Sequence, residues 1–216
     1  MTRVVAVNGG LGDPSSTRLL VDRIAEAVGA RLGGGAKVEI IDLREAAVDI
    51  ARSMTTGFAS GAARDGVDAV ESADALIVAS PVFNASYSGL FKSFFDLVDV
   101  EAMAGKPVLI GATGGSPRHS MVLDHAMRPL FSYLRSVVVP TAIYAAAEDW
   151  APTSGDTATL SGRIDRAAGE LVALLGVPAP ESPAPVVDKV ERRQMATEAA
   201  GIANFARLLG NSTPAG

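Results

Sequence analysis

Hydroxyl groups cluster where they could hold an anion. Ser15, Ser16 and Thr17 follow the small residues Gly9, Gly10 and Gly12, and an apolar pattern of helical period begins just after them at Leu19, Leu20, Ile24 and Val28. Free N–H groups at a helix start, with the positive end of its dipole, favour phosphate. The same cluster could serve only to cap its own helix. The glycines lack the G-x-G-x-x-G spacing, and no Gly-Lys-Ser/Thr ends the loop, so a mononucleotide phosphate is the better match. Two further stretches could meet a flat ring. Residues 81–88 offer Phe83, Asn84 and Tyr87. Residues 113–118 offer flexible Gly114 and Gly115 between the donors Thr113 and Ser116, with Arg118 beyond.

These stretches follow short apolar runs without alternation, the mark of strands buried on both faces of a parallel sheet. The expected strands cover residues 4–7, 37–43, 75–79, 106–112 and 137–145, with Pro140 marking an interruption or an edge in the last. A first helix starts at Pro14 and Ser15. Residues 44–62 lack a sharp pattern and hold short helical pieces, and a second helix ends over residues 66–73. Further helices are expected over residues 88–100, 120–134 and 160–175. Pro129 should disturb the hydrogen-bond ladder of the fourth. Strands alternating with helices predict an α/β fold, a doubly wound five-stranded parallel sheet of order 2-1-3-4-5. In that order the loops at residues 9–18, 81–88 and 113–118 share one edge, beyond the carboxyl ends of the strands where such sheets bind ligands.

Composition narrows the function. The 216 residues favour one domain over residues 1–176, with an appendage at 177–216. The absence of cysteine excludes thiolate catalysis and disulfides. A net charge of −5 without a basic run argues against nucleic acid. No apolar run reaches a membrane span, and the N-terminus lacks a signal-like segment, so the expectation is a cytoplasmic protein. His119 and His125 have no third ligand nearby in the sequence, and no metal site is expected.

The stretch from Ser80 through Pro81, Asn84 and Tyr87 to Lys92, together with Asp124, His125, Arg128, Pro129 and Phe131, resembles the NAD(P)H-dependent FMN reductases of the flavodoxin-like superfamily. The resemblance is nearest to the reductase components of two-component alkanesulfonate monooxygenases, and covers about residues 3–150. The family's Ser/Thr-rich phosphate turn matches residues 15–17 in place, although many relatives carry an arginine where residues 10–12 stand here. The resemblance implies an FMN site built from Asn8, Gly9, Asp13, Ser15, Ser16, Thr17, Pro81, Val82, Phe83, Asn84, Thr113, Gly114, Gly115 and Ser116. Hydride would pass from NADPH or NADH to flavin N5, so no catalytic residue is required. It also implies a homodimer or homotetramer and a flavin-dependent monooxygenase as partner. His125 stands where some relatives carry an inserted residue that forms a π-bulge at a tetramer interface.

Three expectations accompany that reading. The broad apolar surface of the third helix, with Leu90, Phe91 and Phe94, is expected to form a subunit face together with His125 and Arg128. Arg118 is expected either to meet the NAD(P)H phosphates or to be a solvated loop arginine. The tail combines a Pro-rich linker with a helix of scattered apolar residues. Two other functions fit the same fold: a flavodoxin-type electron carrier, and a quinone or azo reductase. The mild excess of 24 acids over 19 bases favours the enzyme over a carrier with an acidic docking surface.

Overall fold

The computed structural model describes residues 2–33, 38–150 and 156–176. The expected linker and tail helix at 177–216 lie outside the described residues. The first strand, β1 (Val4–Asn8), runs into helix α1 (Ser16–Leu32) and strand β2 (Glu39–Asp42). Helices α2 (Ala47–Thr56) and α3 (Gly61–Glu71) follow, then strands β3 (Ala75–Phe83) and β4 (Ser86–Tyr87). Helices α4 (Gly89–Phe95) and α5 (Val100–Met103) lead to β5 (Pro107–Gly114). A 3₁₀ turn (Pro117–His119), a π-helical turn (Leu123–Met127) and α6 (Arg128–Tyr133) come next. The described chain ends through β6 (Val137–Val138), β7 (Ile143–Ala146), a 3₁₀ turn (Ala147–Trp150) and α7 (Asp156–Leu174).

The parallel sheet has the order β2-β1-β3-β5-β6, with β7 also on β5. This is the expected 2-1-3-4-5 order, but the described residues form seven strands rather than five. The expected fifth strand is split. Residues 137–138 pair with residues 107–108 of β5, and residues 143–146 pair with residues 111–114. Pro140 lies in the gap, as its missing N–H predicts. The other extra strand, β4, folds back antiparallel on the end of β3.

Side chains alternate across the strands, so each strand feeds two cores. Val5, Val7, Leu76, Val78, Val108 and Ile110 meet α2 to α6 on one face. Val4, Ala6, Ile77, Ala79, Leu109 and Ile143 meet α1 and α7 on the other. The open edge at β7 is blocked by side chains. Glu170 of α7 accepts from the Thr141 N–H and hydroxyl, both at 2.7 Å, and Arg163 donates to the Tyr144 carbonyl at 3.1 Å. Asp149 accepts from the Ala146 N–H at 2.7 Å. A satisfied edge does not recruit another strand.

Two charged side chains close gaps in the frame. Lys106 is buried, and its ammonium donates to the Val70 and Glu71 carbonyls at the end of α3, at 2.6 and 2.8 Å. That is the negative end of the helix dipole. Burial pushes the ammonium below its usual range, and Glu71 and Asp74 oppose that shift. Arg128 donates to the Val139 and Pro140 carbonyls at 3.2 and 3.3 Å, where the split strand has no ladder partner. Among the described residues, no helix is long and apolar enough to cross a membrane.

The helix expected over residues 88–100 is two pieces, α4 and α5, and its aromatic side chains point inward. Phe91 and Phe94 are both 0% exposed in the single subunit. Phe91 stacks near Phe95 (centroids 4.8 Å apart), and Phe95 meets Phe131 of α6 at 5.0 Å. This corrects the expectation that Phe91 and Phe94 form a subunit face. The broad apolar surface is covered on one side by the sheet and on the other by α6 of the same chain. Leu90, half-buried, is the one of the three with surface to offer.

Candidate functional site

The turn between β1 and α1 is built by its own small residues. Asn8, at the end of β1, accepts from the Gly10 N–H through its side-chain oxygen (3.0 Å) and donates its amide to Asp42 of β2. A Cβ on Gly10 would stand 2.3 Å from the Ser15 hydroxyl oxygen and 3.1 Å from Thr17 Cβ, so any side chain here crowds the turn. Ser15 caps α1, its Oγ accepting from the Arg18 N–H at 3.1 Å. The Ser15 hydroxyl proton remains available to donate. The first-turn N–H groups of Ser16 and Thr17 meet no acceptor among the described residues. A helix of this length with unfilled N-terminal donors has the chemistry to receive an anion.

The other two loops meet this turn. The Gly9 N–H donates to the Ala79 carbonyl of β3 at 2.8 Å. Thr17 and Thr113 are both buried and share a hydroxyl hydrogen bond of 2.7 Å, tying α1 to the end of β5. Pro81 is in register with Thr113. Thus the loops after β1, β3 and β5 do converge on one edge.

Residues 81–83 belong to β3 rather than to a loop, which corrects the sequence expectation. Ala79 faces β1, and Pro81, two residues on, faces the same side beyond the last residue of β1. Its missing N–H therefore costs no ladder bond. Asn84 and Ala85 form the hairpin tip, with φ of 48° and 64°, the two positive values of a type I′ turn. Phe83 beside them is 47% exposed. Ser80 and Ser88 hold the hairpin's base: the Ser88 N–H donates to Ser80 Oγ at 2.9 Å, and Ser88 Oγ accepts from the Phe91 N–H at 3.2 Å. The hairpin therefore offers an exposed aromatic on a fixed base.

Thr113 and Gly114 end β5 rather than opening the expected loop, and behind Gly114 stands Tyr144, which periodicity alone did not single out. Its hydroxyl donates to the Ser116 carbonyl at 2.7 Å, and a Cβ on Gly114 would meet that oxygen at 2.1 Å. The register of β7 on β5 places the phenol under the turn, a relation no local sequence pattern reports. Burial, then Asp149, raises the phenol above its usual 10.0. A raised acid contributes stability that is present below the unfolded value and lost as pH rises through the folded one. Tyr144→Phe should therefore lose about 1 kcal/mol near neutrality through the hydrogen bond, and should show a shallower loss of stability above pH 10.0 than the native chain. Urea unfolding at neutral and alkaline pH checks this, and parallel curves for the two proteins would count against it.

The comparisons with known proteins meet this geometry. Residues 2–151 match the family model described as NADPH-dependent FMN reductase. The chain belongs to the NADPH-dependent FMN reductase family. It is 38% identical over 174 residues to FMN reductase (NADPH) of Pseudomonas aeruginosa, covering 81% of this chain and 92% of that one. It is 39% identical over 176 residues to the NADH-dependent FMN reductase SfnF of Pseudomonas fluorescens, with the same two coverages. A solved oxidoreductase from Corynebacterium diphtheriae superposes with a TM-score of 0.77 at 46% identity, over 82% of this chain and 97% of that one. Solved flavodoxins at 18% and 14% identity show a shared flavodoxin-like fold and nothing more.

The site of this reductase suits FMN. The Ser16 and Thr17 N–H groups and the Ser15 and Ser16 hydroxyls make a donor set for a phosphate, and Gly10 keeps the cradle open. The turn at Thr113, Gly114, Gly115 and Ser116 and the hairpin at Pro81, Val82, Phe83 and Asn84 stand on either side of the adjoining edge. Asp13 is exposed at the loop's outer side, with Arg44 at 3.8 Å. The carboxylates of Asp22 and Asp42 beside the turn, unlike Asp13, were not singled out from sequence. Arg18 is engaged by Asp22 and Asp42, and both bonds hold its guanidinium firmly charged.

The structure separates the remaining expected residues. Arg118 is exposed on the 3₁₀ turn two residues past Ser116. His125 sits in the π-helical turn at Leu123–Met127, just before Pro129. Pro129 cannot donate to the His125 carbonyl four residues back, and the wider turn relieves the clash an α-helix would impose. Arg128 is tied to Asp124 at 3.0 Å and to the split strand, so its guanidinium serves this subunit's own frame.

Proposed function

We propose that this reductase takes FMN from solution, reduces it with NADPH or NADH, and releases the reduced flavin to a separate flavin-dependent monooxygenase. One observation carries the reading of FMN as an exchanging substrate. The phosphate turn offers neutral donors, while its nearest cation, Arg18, is bound to Asp22 and Asp42. A phosphate held by N–H and hydroxyl groups, with the neighbouring arginine already paired to carboxylates, is gripped less tightly than one clamped by a free arginine. The two relatives differ in the coenzyme of their names, one NADPH and one NADH, so both are expected as donors.

Bound FMN supplies the redox chemistry, accepting hydride from the nicotinamide. The protein's part is placement. Ser15, Ser16 and Thr17 orient the phosphate end. The Thr17–Thr113 bond fixes the distance between that end and the glycine turn. Tyr144 holds the turn's shape, and Phe83 covers the hairpin side. The protein as purified should show little flavin absorbance, bind FMN at micromolar scale, and oxidise NAD(P)H only with added FMN. A tightly loaded yellow protein, or flavin that neither coenzyme reduces, would overturn the reading.

A second copy of the chain covers the groove of about 680 Å³ between α4 and the π-helical turn. Support comes from Tyr133 at its rim, 76% exposed, with Tyr87, His125 and Leu130 along its walls. Tyr133→Glu should shift the protein from dimer or tetramer to monomer in light scattering, with unchanged circular dichroism. An unchanged mass would contradict this assignment.

A further inference from the structure

Asp42 ends β2 in register with Asn8, directly beside the phosphate turn. Its two carboxylate oxygens do different work. Oδ1 accepts from the Asn8 amide, whose own oxygen holds the Gly10 N–H. Oδ2 accepts from the Arg18 guanidinium. Asp22, one turn further along α1, takes the Arg18 Nε–H at 2.9 Å. Arg18 is only the third residue of α1, with its N–H on Ser15 Oγ. Its side chain lines one cavity of about 530 Å³ with Gly10, Gly12 and Ser15, and with Asp22 and Asp42. Side chains on a helix lean toward its N-terminus. The bond to Asp22 draws the guanidinium the other way, away from the turn. The cavity's other cation, Arg44, stands 3.8 Å from Asp13 on the outer side.

An arginine released in this cavity has a phosphate on the Ser16 and Thr17 N–H groups as its natural partner. Arginine–phosphate contacts are charge-assisted and fork-shaped, and rank among the strong hydrogen bonds. We propose that Asp42, helped by Asp22, is a positioning residue for flavin release: it holds Arg18 off the FMN phosphate and so keeps FMN exchangeable. The two carboxylates act against affinity. They restrain a clamp that would otherwise turn a passing substrate into a resident group. The assignment rests on the reading of FMN as an exchanging substrate, and names the residues that set the exchange.

The test is Asp42→Asn, which keeps a carbonyl oxygen for Asn8 and removes the charge that holds Arg18. Fluorescence titration with FMN and stopped-flow dissociation read the result. The Kd should fall by about tenfold or more, the worth of one charge-assisted bond, and dissociation should slow by a similar factor. Asp22→Asn, at an exposed position, should tighten FMN by a smaller factor, and decides the matter if circular dichroism shows Asp42→Asn misfolded. Glu45→Gln removes a charge from the same cavity without touching Arg18, and should leave the Kd near the native value. In an Arg18→Ala background, Asp42→Asn should bring no gain. A merely structural role for Asp42 predicts the opposite sign, because a damaged turn weakens binding. Unchanged or weaker binding in both aspartate variants, an equal gain in Glu45→Gln, or a gain that persists without Arg18 would overturn the proposal. A native protein that already holds FMN tightly would instead overturn the exchange reading itself.

Discussion

Gly10→Val is expected to raise the Kd for FMN at least about a hundredfold while leaving the protein folded. A Cβ at this position stands 2.3 Å from Ser15 Oγ, 3.0 Å from Asn8 Oδ1 and 3.1 Å from Thr17 Cβ. An alanine could push the Ser15 hydroxyl aside. A branched side chain has to displace the Asn8 amide and Thr17 as well, which opens the turn. What is lost is the alignment of the Ser16 and Thr17 N–H groups on one phosphate. Two hydrogen bonds to a charged group, at about 1.5–3 kcal/mol each, correspond to roughly a hundredfold or more in affinity. Gly162→Ala, on α7, is the control, because a Cβ there meets nothing within 4 Å. Fluorescence quenching of FMN reads both. Equal affinity for Gly10→Val and the native chain would remove the phosphate turn from the account.

Phe91→Ala is the second large effect, and it bears on the corrected role of α4. Phe91 touches Tyr87 of β4 (centroids 5.7 Å apart), Phe95 and Phe131. Its ring also lies beneath Gly9, whose added Cβ would meet it at 3.1 Å. Removing it empties the junction of the hairpin, α6 and the phosphate loop. Phenylalanine-to-alanine changes in packed cores cost about 3–5 kcal/mol. In a domain of this size that corresponds to a fall in Tm of roughly 10 °C. A core role predicts that the loss, measured against the native chain, does not depend on protein concentration. A loss that appears only at low concentration, as a subunit face would give, would contradict the burial of Phe91.

The fold was legible where burial dictated residue type. The runs at residues 4–7, 75–79 and 106–112 are apolar on both faces because helices cover both faces of the sheet, and their alternation with helices implies the doubly wound order that aligns the loops. The proline in the fifth strand announced its split. Other features escaped because their causes are not local. The two-residue strand β4 is too short for any periodicity. The extension of β3 through Pro81 depends on where β1 ends. Tyr144 reads as a strand aromatic until register places its hydroxyl beneath Gly114. The breadth of the apolar surface on α4 was real, but sequence could not say that Phe131, forty residues on, would cover it. Of the cluster at residues 15–17, Ser15 caps the helix and the Thr17 hydroxyl bonds Thr113, while the N–H groups of Ser16 and Thr17 meet no acceptor among the described residues.

The central claim is that the β1–α1 turn recognises the flavin's phosphate and thereby makes FMN the substrate. Riboflavin has the same ring and no phosphate. Steady-state NAD(P)H oxidation with FMN and with riboflavin as acceptor therefore tests the claim most directly. The site predicts a kcat/KM about a hundredfold higher for FMN, the worth of the two N–H contacts, and a difference that Gly10→Val abolishes. Equal kcat/KM for the two flavins in the native protein would contradict it.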